Sequence, residues 1–334
     1  MRLNKQINFL IKIQNLKFEK RYLIDYANLI ENTFKYQNDL INESDLELFE
    51  NKMFMGIPII FPTNSKLFIY NKKFLCDKKK YLKTIYTFYS KNHEPSKNLK
   101  LVNEFSNSLK PKKKYFKLVQ DINKYNTEIK TTIKNLKKRF KYVASFQTRN
   151  IPHHGHEKII NYLLTVANHV VINPLVGPKK KGDLSTKHLL LAFNYLKKFY
   201  GNKISFLPII SNMFYAGPRE AMHHANIREQ FGFTHFAVGR DHAGHGNAYN
   251  YDSAPYLIKK NLSKFKINLI VHFGSYWHKK LKKVIILKKN IKNKRNLINI
   301  SGSEFRNCLK KKKIYVFARK SLQHYLIKKN ISRF

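Results

Sequence analysis

Cysteine is scarce in this chain: Cys76 and Cys308 are the only two, and neither fits a Cys-x-x-Cys pair or a zinc-type spacing with histidine. Apolar runs are also short, and none approaches the roughly 18 residues of a membrane-spanning helix. The apolar patch near the N-terminus is interrupted by Lys12 and Lys17, with no small-residue cleavage site after it. We therefore expect a cytoplasmic protein from a reducing compartment, with no signal peptide, no structural zinc and no membrane partner.

Acidic residues are scarce as well, since 20 Asp and Glu stand against 65 Lys and Arg and give a formal net charge of +45. A strongly basic chain is typical of nucleic-acid-binding proteins. Compositional drift gives the same charge, because the abundant Lys, Asn, Ile, Tyr and Phe all have A/T-rich codons. The lysines spread along nearly the whole chain, so we favour drift and expect no specific nucleic-acid partner.

Glycine and histidine are concentrated in one window of the chain, and Arg149, Arg219, Arg228 and Arg240 fall in or at the edge of it. Ten of the 12 glycines lie between Gly155 and Gly274, and 12 of the 14 histidines lie between His153 and His278. Glycine allows tight turns and close backbone approach, and arginine supplies a planar fork that lysine cannot replace. This concentration predicts an anion-handling site of special geometry within the window.

The densest polar stretch runs from Phe146 to Glu157, with the sequence Phe-Gln-Thr-Arg-Asn-Ile-Pro-His-His-Gly-His-Glu. The apolar residues that end at Phe146 predict a buried strand, and Lys158 to Leu164 predict a helix. Ligands bind beyond the carboxyl ends of the strands in α/β sheets, and the free N–H groups of a helix start favour an anion. The stretch therefore predicts a binding turn.

Strands and helices alternate through the rest of the window. This order predicts βαβ units around a parallel sheet, with further strands over His169 to Val176, Ile204 to Ile210, Thr234 to Val238 and Ile267 to Phe273. Helices are expected over Thr127 to Phe140, Ser185 to Tyr200 and from Gly217 to about Phe231, with Ser185 as an N-cap. The polar clusters that follow the strands are expected at one edge of the sheet.

The length of 334 residues is sufficient for two or three domains. We expect a small mixed α/β or mostly-β domain over 1–124, a catalytic domain over 125–296 and a small helical segment over 297–334. In the first domain, Tyr22 to Phe34 predicts a helix, and Met55 to Pro62 and Lys66 to Tyr70 predict strands. The basic segment Lys110 to Lys114 is expected to be a linker or an exposed loop.

Two glycine-bracketed turns follow predicted strands. Gly177 to Gly182 begins like a P-loop, but Asp183 replaces the required lysine, so we reject that interpretation. Gly239 to Gly244 reads Gly-Arg-Asp-His-Ala-Gly, in which Arg240 can fork to phosphate or sulfate oxygens. A structural turn closed by an internal Arg–Asp pair is the alternative for this second segment.

No nucleophile or acid–base pair is recognisable in the window. Neither cysteine lies near it, no Ser/His/Asp arrangement stands out, and carboxylates are few. We interpret His223, His224 and His245 individually as packing or surface residues. The pattern favours chemistry based on positioning and charge stabilisation, as in phosphoryl or nucleotidyl transfer.

The polar motifs together resemble those of the ATP sulfurylase (sulfate adenylyltransferase) family. They occur in family order at family spacing: Gln147-Thr148-Arg149-Asn150 with His153 and His156; Pro174 to Gly177 with Lys180 and Gly182-Asp183; Tyr215 to Ala221 with His224 and Arg228; Gly239 to Gly244; and Ser301 to Glu304 with Arg306. The chain departs from the family pattern at Ile151-Pro152 and at Phe214. A weaker resemblance before residue 124 is to the family's PUA-like N-terminal domain.

This resemblance implies a Rossmann-like nucleotidyltransferase domain that transfers adenylyl from MgATP to sulfate, giving adenylyl sulfate (APS) and pyrophosphate, or the reverse. It implies sulfate binding by Gln147, Arg149 and the amide of Ala243, and catalysis by Thr148, Arg149, Asn150, His153 and His156. It implies ATP binding by Gln147, Thr148, Arg149, Asn150, Gly239, Arg240, Asp241, His242 and Phe273. Mg²⁺ is expected only with ATP, and a homo-oligomer is expected.

Two other functions stay open on the sequence. The core His153-x-Gly155-His156 is shared by many nucleotidyltransferases, so another adenylyltransferase with a different acceptor is one alternative. The other is a non-catalytic nucleic-acid-binding protein on the same scaffold, for which the net charge of +45 is the motivation.

Overall fold

A computed structural model describes residues 2–17, 21–33, 61–63, 66–69, 74–77, 113–178, 184–244, 249–291 and 293–329. The helices are α1 (Arg2–Gln14), α2 (Tyr22–Ile30), α3 (Phe116–Arg139), α4 (His154–Leu163), α5 (Thr186–Tyr200), α6 (Pro218–Gln230), α7 (Ser253–Lys260), α8 (Gly302–Lys310) and α9 (Lys320–Lys328). The strands are β1 (Phe61–Thr63), β2 (Lys66–Ile69), β3 (Phe74–Asp77), β4 (Val143–Phe146), β5 (His169–Ile172), β6 (Leu175–Val176), β7 (Ile204–Phe206), β8 (Ile209–Ile210), β9 (His235–Val238), β10 (Asn268–Val271), β11 (Ser275–His278), β12 (Lys283–Ile286) and β13 (Leu297–Asn299).

The centre of the fold is a five-stranded sheet in the order β10-β9-β4-β5-β7. All four pairings within this sheet are parallel. Strand β4 lies in the middle of the sheet, so the turn that follows it opens at the centre of the edge formed by the carboxyl ends. The α/β fold with a parallel sheet that the sequence predicts is thereby confirmed.

Helices cover both faces of this sheet. Successive strand residues point to opposite sides, so neighbouring residues of one strand contribute to different cores. Val143 belongs to the core shared with α2, α3, α6 and α7, whereas its neighbour Ala144 belongs to the core shared with α4, α5, α8 and α9. Val170 and Val171 divide in the same way. This arrangement explains why β4 and β5 are buried along their whole length.

Two of the predicted strands are each divided in two. The strand expected over residues 169–176 ends at Ile172 and resumes at Leu175, and the strand expected over 204–210 breaks between Phe206 and Ile209. Pro174 and Pro208 lie at the breaks, and proline has no N–H to donate to a ladder. The short strands β6 and β8 pair with each other in a separate parallel sheet, so the prediction of two continuous strands was wrong.

The segment of helix α2 packs on the region around the parallel sheet. Arg21 Nη2 donates to the Met213 carbonyl at 2.8 Å, and Asn28 Nδ2 donates to the Ile210 carbonyl at 3.1 Å. Helix α3 begins at Phe116, eleven residues before the predicted start, and runs across the predicted boundary between 124 and 125. Strands β1 to β3 form an antiparallel sheet. Most of the expected PUA-like domain lies outside the described residues, so that assignment stays a prediction.

The lysine-rich stretch after β10, for which the sequence indicated no structure, forms a second antiparallel sheet in the order β12-β11-β13. Helices α8 and α9 then follow, as expected for a helical C-terminal segment. Among the described helices, none is both long and apolar enough to span a bilayer.

Candidate active site

The turn after β4 leads directly into helix α4, which starts at His154 rather than at the predicted Lys158. His153 is the N-cap residue, and its Nδ1 accepts a hydrogen bond from the His156 N–H at 3.3 Å. The rings of His153 and His156 stack with centroids 3.8 Å apart and an interplanar angle of 12°. The helix start therefore holds two of the predicted catalytic residues in a fixed pair.

Both of these imidazoles are buried, and the burial controls their charge. Desolvation holds the pKa of His153 well below its usual range and lowers the pKa of His156 to about 4. Both rings are therefore neutral at pH 7 when the site holds no anion. An anion bound within about 4–6 Å would raise both pKa values and favour the charged, donating form.

Thr148 ties the turn to this histidine pair. Its Oγ1 lies 3.3 Å from His156 Nε2 and accepts a hydrogen bond from the Asn150 N–H at 3.1 Å. The Thr148 hydroxyl therefore connects the backbone at Asn150 to the imidazole of His156.

Arg149 joins this turn to the turn after β9. Its Nη2 donates to the Gly244 carbonyl at 3.1 Å, whereas Nη1 is buried without a hydrogen-bond partner. Gln147 Oε1, on the same turn, is also buried without a partner. Leaving a buried polar atom unpaired costs about 1–3 kcal/mol of stability. Two such atoms on one turn are typical of a site in which a bound ligand supplies the missing hydrogen bonds.

The turn from Gly239 to Gly244 has an unusual backbone. Asp241 and Ala243 have positive φ values of 52° and 54°. A Cβ on Gly239 would lie 2.5 Å from His272 Cε1, and one on Gly244 would lie 2.0 Å from Asp241 Oδ1. These two glycines are therefore required by close packing, which explains why they bracket the motif.

Arg240, expected to bind phosphate, is engaged by the second antiparallel sheet. Its Nη1 donates to the Tyr276 hydroxyl at 2.8 Å, and its Nη2 donates to Asn299 Oδ1. The guanidinium also lies over the Tyr276 ring at 4.7 Å and the Tyr251 ring at 5.9 Å. An Arg–Asp pair within the turn is therefore not what positions Arg240.

The C-terminal segment completes the site. Arg306 Nη1, on helix α8, donates to Asn150 Oδ1. A Cβ on Gly302 would lie 2.7 Å from Asn150 Cγ, so only glycine lets the helix start approach this closely. Asn150 is thus held by residues about 150 positions away in the sequence.

These elements enclose two adjoining cavities, of about 180 and 590 Å³. Eleven predicted site residues line one or both cavities: Gln147, Thr148, Arg149, Asn150, His153, His156, Gly239, Arg240, Asp241, His242 and Ala243. Three arginines, Arg149, Arg240 and Arg306, face the larger cavity against the single carboxylate of Asp241. The lining therefore favours anions.

Phe273 is the one predicted site residue that the structure does not bring to these cavities. It is buried beside Tyr276 and Leu287, and its ring meets the Tyr256 ring edge-on at 5.2 Å. Its chain neighbours His272 and Gly274 line the larger cavity instead.

Sequence reasoning missed several lining residues. Ser275 and Asn299 come from strands that the pattern did not predict, and His272 falls in the strand predicted over Ile267 to Phe273 but was not identified as a site residue. All three line the larger cavity. His224, interpreted as a packing residue, is fully buried and contacts two predicted site residues, Gln147 and His242. The resemblance of the motif from Tyr215 to Arg228 was the only signal for His224.

Comparison with known proteins agrees with this geometry. The family model for ATP-sulfurylase matches residues 121–328. Proteins named sulfate adenylyltransferase are similar to this chain: that of Ignicoccus hospitalis is 50% identical over 114 residues, and that of Staphylothermus marinus 45% over 123 residues. That of Persephonella marina is 33% identical over 207 residues.

The matched segments cover 34, 36 and 60% of this chain and 30, 32 and 53% of those three proteins. The chain thus spans between about a third and a half of the length of these relatives. Among solved structures, a hexameric APS kinase from Thiobacillus denitrificans is similar with a TM-score of 0.46 and 14% identity, over 61% of this chain and 39% of that one. A likeness this weak supports no statement about function or assembly.

Proposed function

The chain belongs to the ATP-sulfurylase family, and from this premise we propose that it catalyses adenylyl transfer between ATP and sulfate. A sulfate oxygen attacks the α-phosphorus of ATP, and the bond from that phosphorus to the oxygen bridging to the β-phosphorus breaks. Adenylyl sulfate forms, and pyrophosphate leaves with the electron pair of the broken bond. The same site would run the reaction in reverse.

The observation that carries this proposal is that only one of the two terminal nitrogens of the Arg149 guanidinium has a hydrogen-bond partner. One terminal nitrogen is held by the Gly244 carbonyl, and the other is buried without a partner. A buried cationic donor in this state suits a small oxyanion that accepts its hydrogen bond. The side chain of Gln147 and the backbone N–H of Ala243 lie on the same cavity and complete the proposed sulfate site.

The reaction needs little proton transfer, because sulfate is already ionised at neutral pH. The proposed work of the site is positioning and charge stabilisation. His153 and His156, neutral before binding, would gain positive charge as the triphosphate approaches and would stabilise the departing pyrophosphate. Thr148 and Asn150, fixed by His156 and Arg306, would orient the reacting phosphate.

ATP is proposed to occupy the larger cavity, which Arg240 and Asp241 line, and to reach Gly239 and His242 on the adjoining smaller cavity. The larger cavity's volume of about 590 Å³ is in the range of nucleotide-sized sites. Mg²⁺ is proposed to enter with ATP as part of the substrate. In the described stretches, no group of three or more His, Cys, Asp and Glu side chains is placed to hold a metal ion by itself. Phe273 is left out of this nucleotide site.

Finer assignments of fold and assembly also belong to this proposal. We assign the parallel-sheet region, residues 125–296, to the Rossmann-like nucleotidyltransferase class, with a PUA-like domain over 1–124 and a helical segment over 297–334. The motif order after β4 and β9 supports the first assignment. A cytoplasmic location and a homo-oligomeric state complete the proposal, and gel filtration with light scattering tests the oligomeric state.

Substitution of the acceptor tests the proposed sulfate site. With MgATP and selenate or molybdate, the unstable products should decay and release AMP, because these anions share the tetrahedral shape of sulfate. AMP release that saturates with each anion and is inhibited by sulfate is expected. Indifference to all three anions, with ATP bound, would instead favour an adenylyltransferase with another acceptor.

A further inference from the structure

Glu220 and His224 form a buried pair on successive turns of helix α6. Both side chains have no exposed area, and Glu220 Oε1 lies 3.3 Å from His224 Nε2. The Phe214 and Ala216 N–H groups donate to the two oxygens of Glu220 at 3.0 and 2.9 Å. Burial raises the pKa of Glu220, whereas these two backbone donors favour its ionised form. The carboxylate is thus fixed in position and direction.

The other nitrogen of His224 faces two residues of the proposed site. Nδ1 lies 3.1 Å from Gln147 Nε2 and 3.0 Å from His242 Nε2. An amide nitrogen only donates, so Nδ1 accepts, and the proton of this neutral imidazole is on Nε2, which lies near Glu220 Oε1 but makes no hydrogen bond. Burial, reinforced by the charge of Arg228, holds the pKa of His224 well below its usual range, so the ring is neutral.

The same contact fixes the tautomer of His242. Because His224 Nδ1 accepts with its single lone pair, Gln147 Nε2 and His242 Nε2 share that lone pair as donors, and His242 Nε2 carries the proton. Burial also holds the pKa of His242 well below its usual range, so its Nδ1 is a free acceptor atom of a neutral ring. Through its Nδ1 atom, His224 therefore orients the side-chain amide of Gln147 and fixes the tautomer of His242.

We propose that His224, buried beside Glu220, is a positioning residue that links the sulfate side of the site, Gln147, to its nucleotide side, His242, and so couples the binding of the two substrates. This inference rests on the proposed function. A residue that merely fills space would need only the volume of the imidazole, whereas this role needs an acceptor at the Nδ1 position.

Two substitutions separate these roles. In His224→Asn the carboxamide oxygen can stand where Nδ1 stands, whereas in His224→Gln the polar group reaches the Nε2 position. We expect the KM for sulfate to stay within about threefold of wild type in His224→Asn and to rise about tenfold or more in His224→Gln, because two donors lose their acceptor. Thermal melts control for folding.

Coupling is measured by calorimetry with α,β-methylene ATP, a nonreacting analogue, with and without sulfate. Sulfate should change the Kd of the analogue by the same factor in wild type and His224→Asn, and this factor should fall towards one in His224→Gln. Equal sulfate KM values and equal coupling in the two variants would overturn the proposal and leave His224 as a packing residue.

A measurement on the wild-type protein covers the case in which either variant fails to fold. ¹⁵N spectra of histidine-labelled protein report which ring nitrogen carries the proton, and His224 should be the neutral Nε2–H form. An Nδ1–H form would overturn the proposal. Absence of sulfate-dependent turnover and sulfate binding in wild type would defeat the proposed function, and this inference with it. Turnover with unaltered variants would defeat the inference alone.

Discussion

Replacement of Arg149 by lysine tests the proposed sulfate site most sharply. The guanidinium has two terminal nitrogens, of which Nη2 is used by the Gly244 carbonyl and Nη1 is buried without a partner. Lysine keeps the positive charge but has one nitrogen, so it serves either the carbonyl or the anion and loses the fixed plane of the fork.

The expected loss follows from that geometry. One hydrogen bond to a charged group contributes about 1.5–3 kcal/mol. At about 1.4 kcal/mol per factor of ten, Arg149→Lys should lower kcat/KM for sulfate by about tenfold to 150-fold. Folding should be intact, because Arg149 is only half-buried and lies at the edge of the site. The KM for ATP should change less.

Sulfate saturation kinetics on both proteins, with thermal melts, measure this loss. Arg295→Lys is the matched control, because Arg295 is exposed and lies outside both cavities. We expect that control to be indistinguishable from wild type. Unchanged sulfate kinetics in Arg149→Lys would show that Arg149 merely closes the turn, and the proposed sulfate site would then be wrong.

Three further predictions follow from the packing. Gly239→Ala should raise the KM for ATP about tenfold, because its Cβ would lie 2.5 Å from His272 Cε1; ATP saturation kinetics as tight as those of wild type would contradict this. Arg319→Ala removes the guanidinium whose Nε donates to Glu157 at 2.8 Å, so urea unfolding should show a loss of about 1–3 kcal/mol, and an unchanged midpoint would refute it. His156 has a folded pKa lowered to about 4, below the roughly 6.5 of an unfolded histidine, so the unfolded chain takes up the proton first. Stability is therefore full above pH 6.5 and falls as the pH drops towards 4, by up to about 3 kcal/mol for this residue; urea midpoints that are flat from pH 7.5 to 4.5 would contradict the burial argument.

The alternation of strands and helices was predictable because buried parallel strands are continuous apolar runs. Val143 to Phe146 and His235 to Val238 each approach this pattern with one polar residue, Ser145 and His235, and both lie in the parallel sheet as expected. The breaks at Pro174 and Pro208 were readable in principle, since proline cannot extend a ladder. The sheet containing Trp277 was missed because its strands are short and its sequence is lysine-rich.

Site residues could be predicted from the sequence when the local motif around them indicated their role. They could not be predicted when their role depends on contacts with residues far away in the sequence. Arg149 was identified from its turn, and the structure brings it to Gly244 as the shared edge of the sheet predicts. The bond from Arg306 to Asn150 joins residues 156 positions apart, and no local pattern indicates it. The contacts of His224 with Gln147 and His242 could not be predicted for the same reason, since a buried histidine on a helix gives the same pattern whether it only packs or also accepts hydrogen bonds.

The most direct test of the account is product formation by the purified chain. With MgATP, sulfate and pyrophosphatase, mass spectrometry should detect adenylyl sulfate in an amount that depends on sulfate and saturates with it. With adenylyl sulfate and pyrophosphate, the same protein should form ATP. A folded protein that yields neither product would contradict the proposed adenylyl transfer.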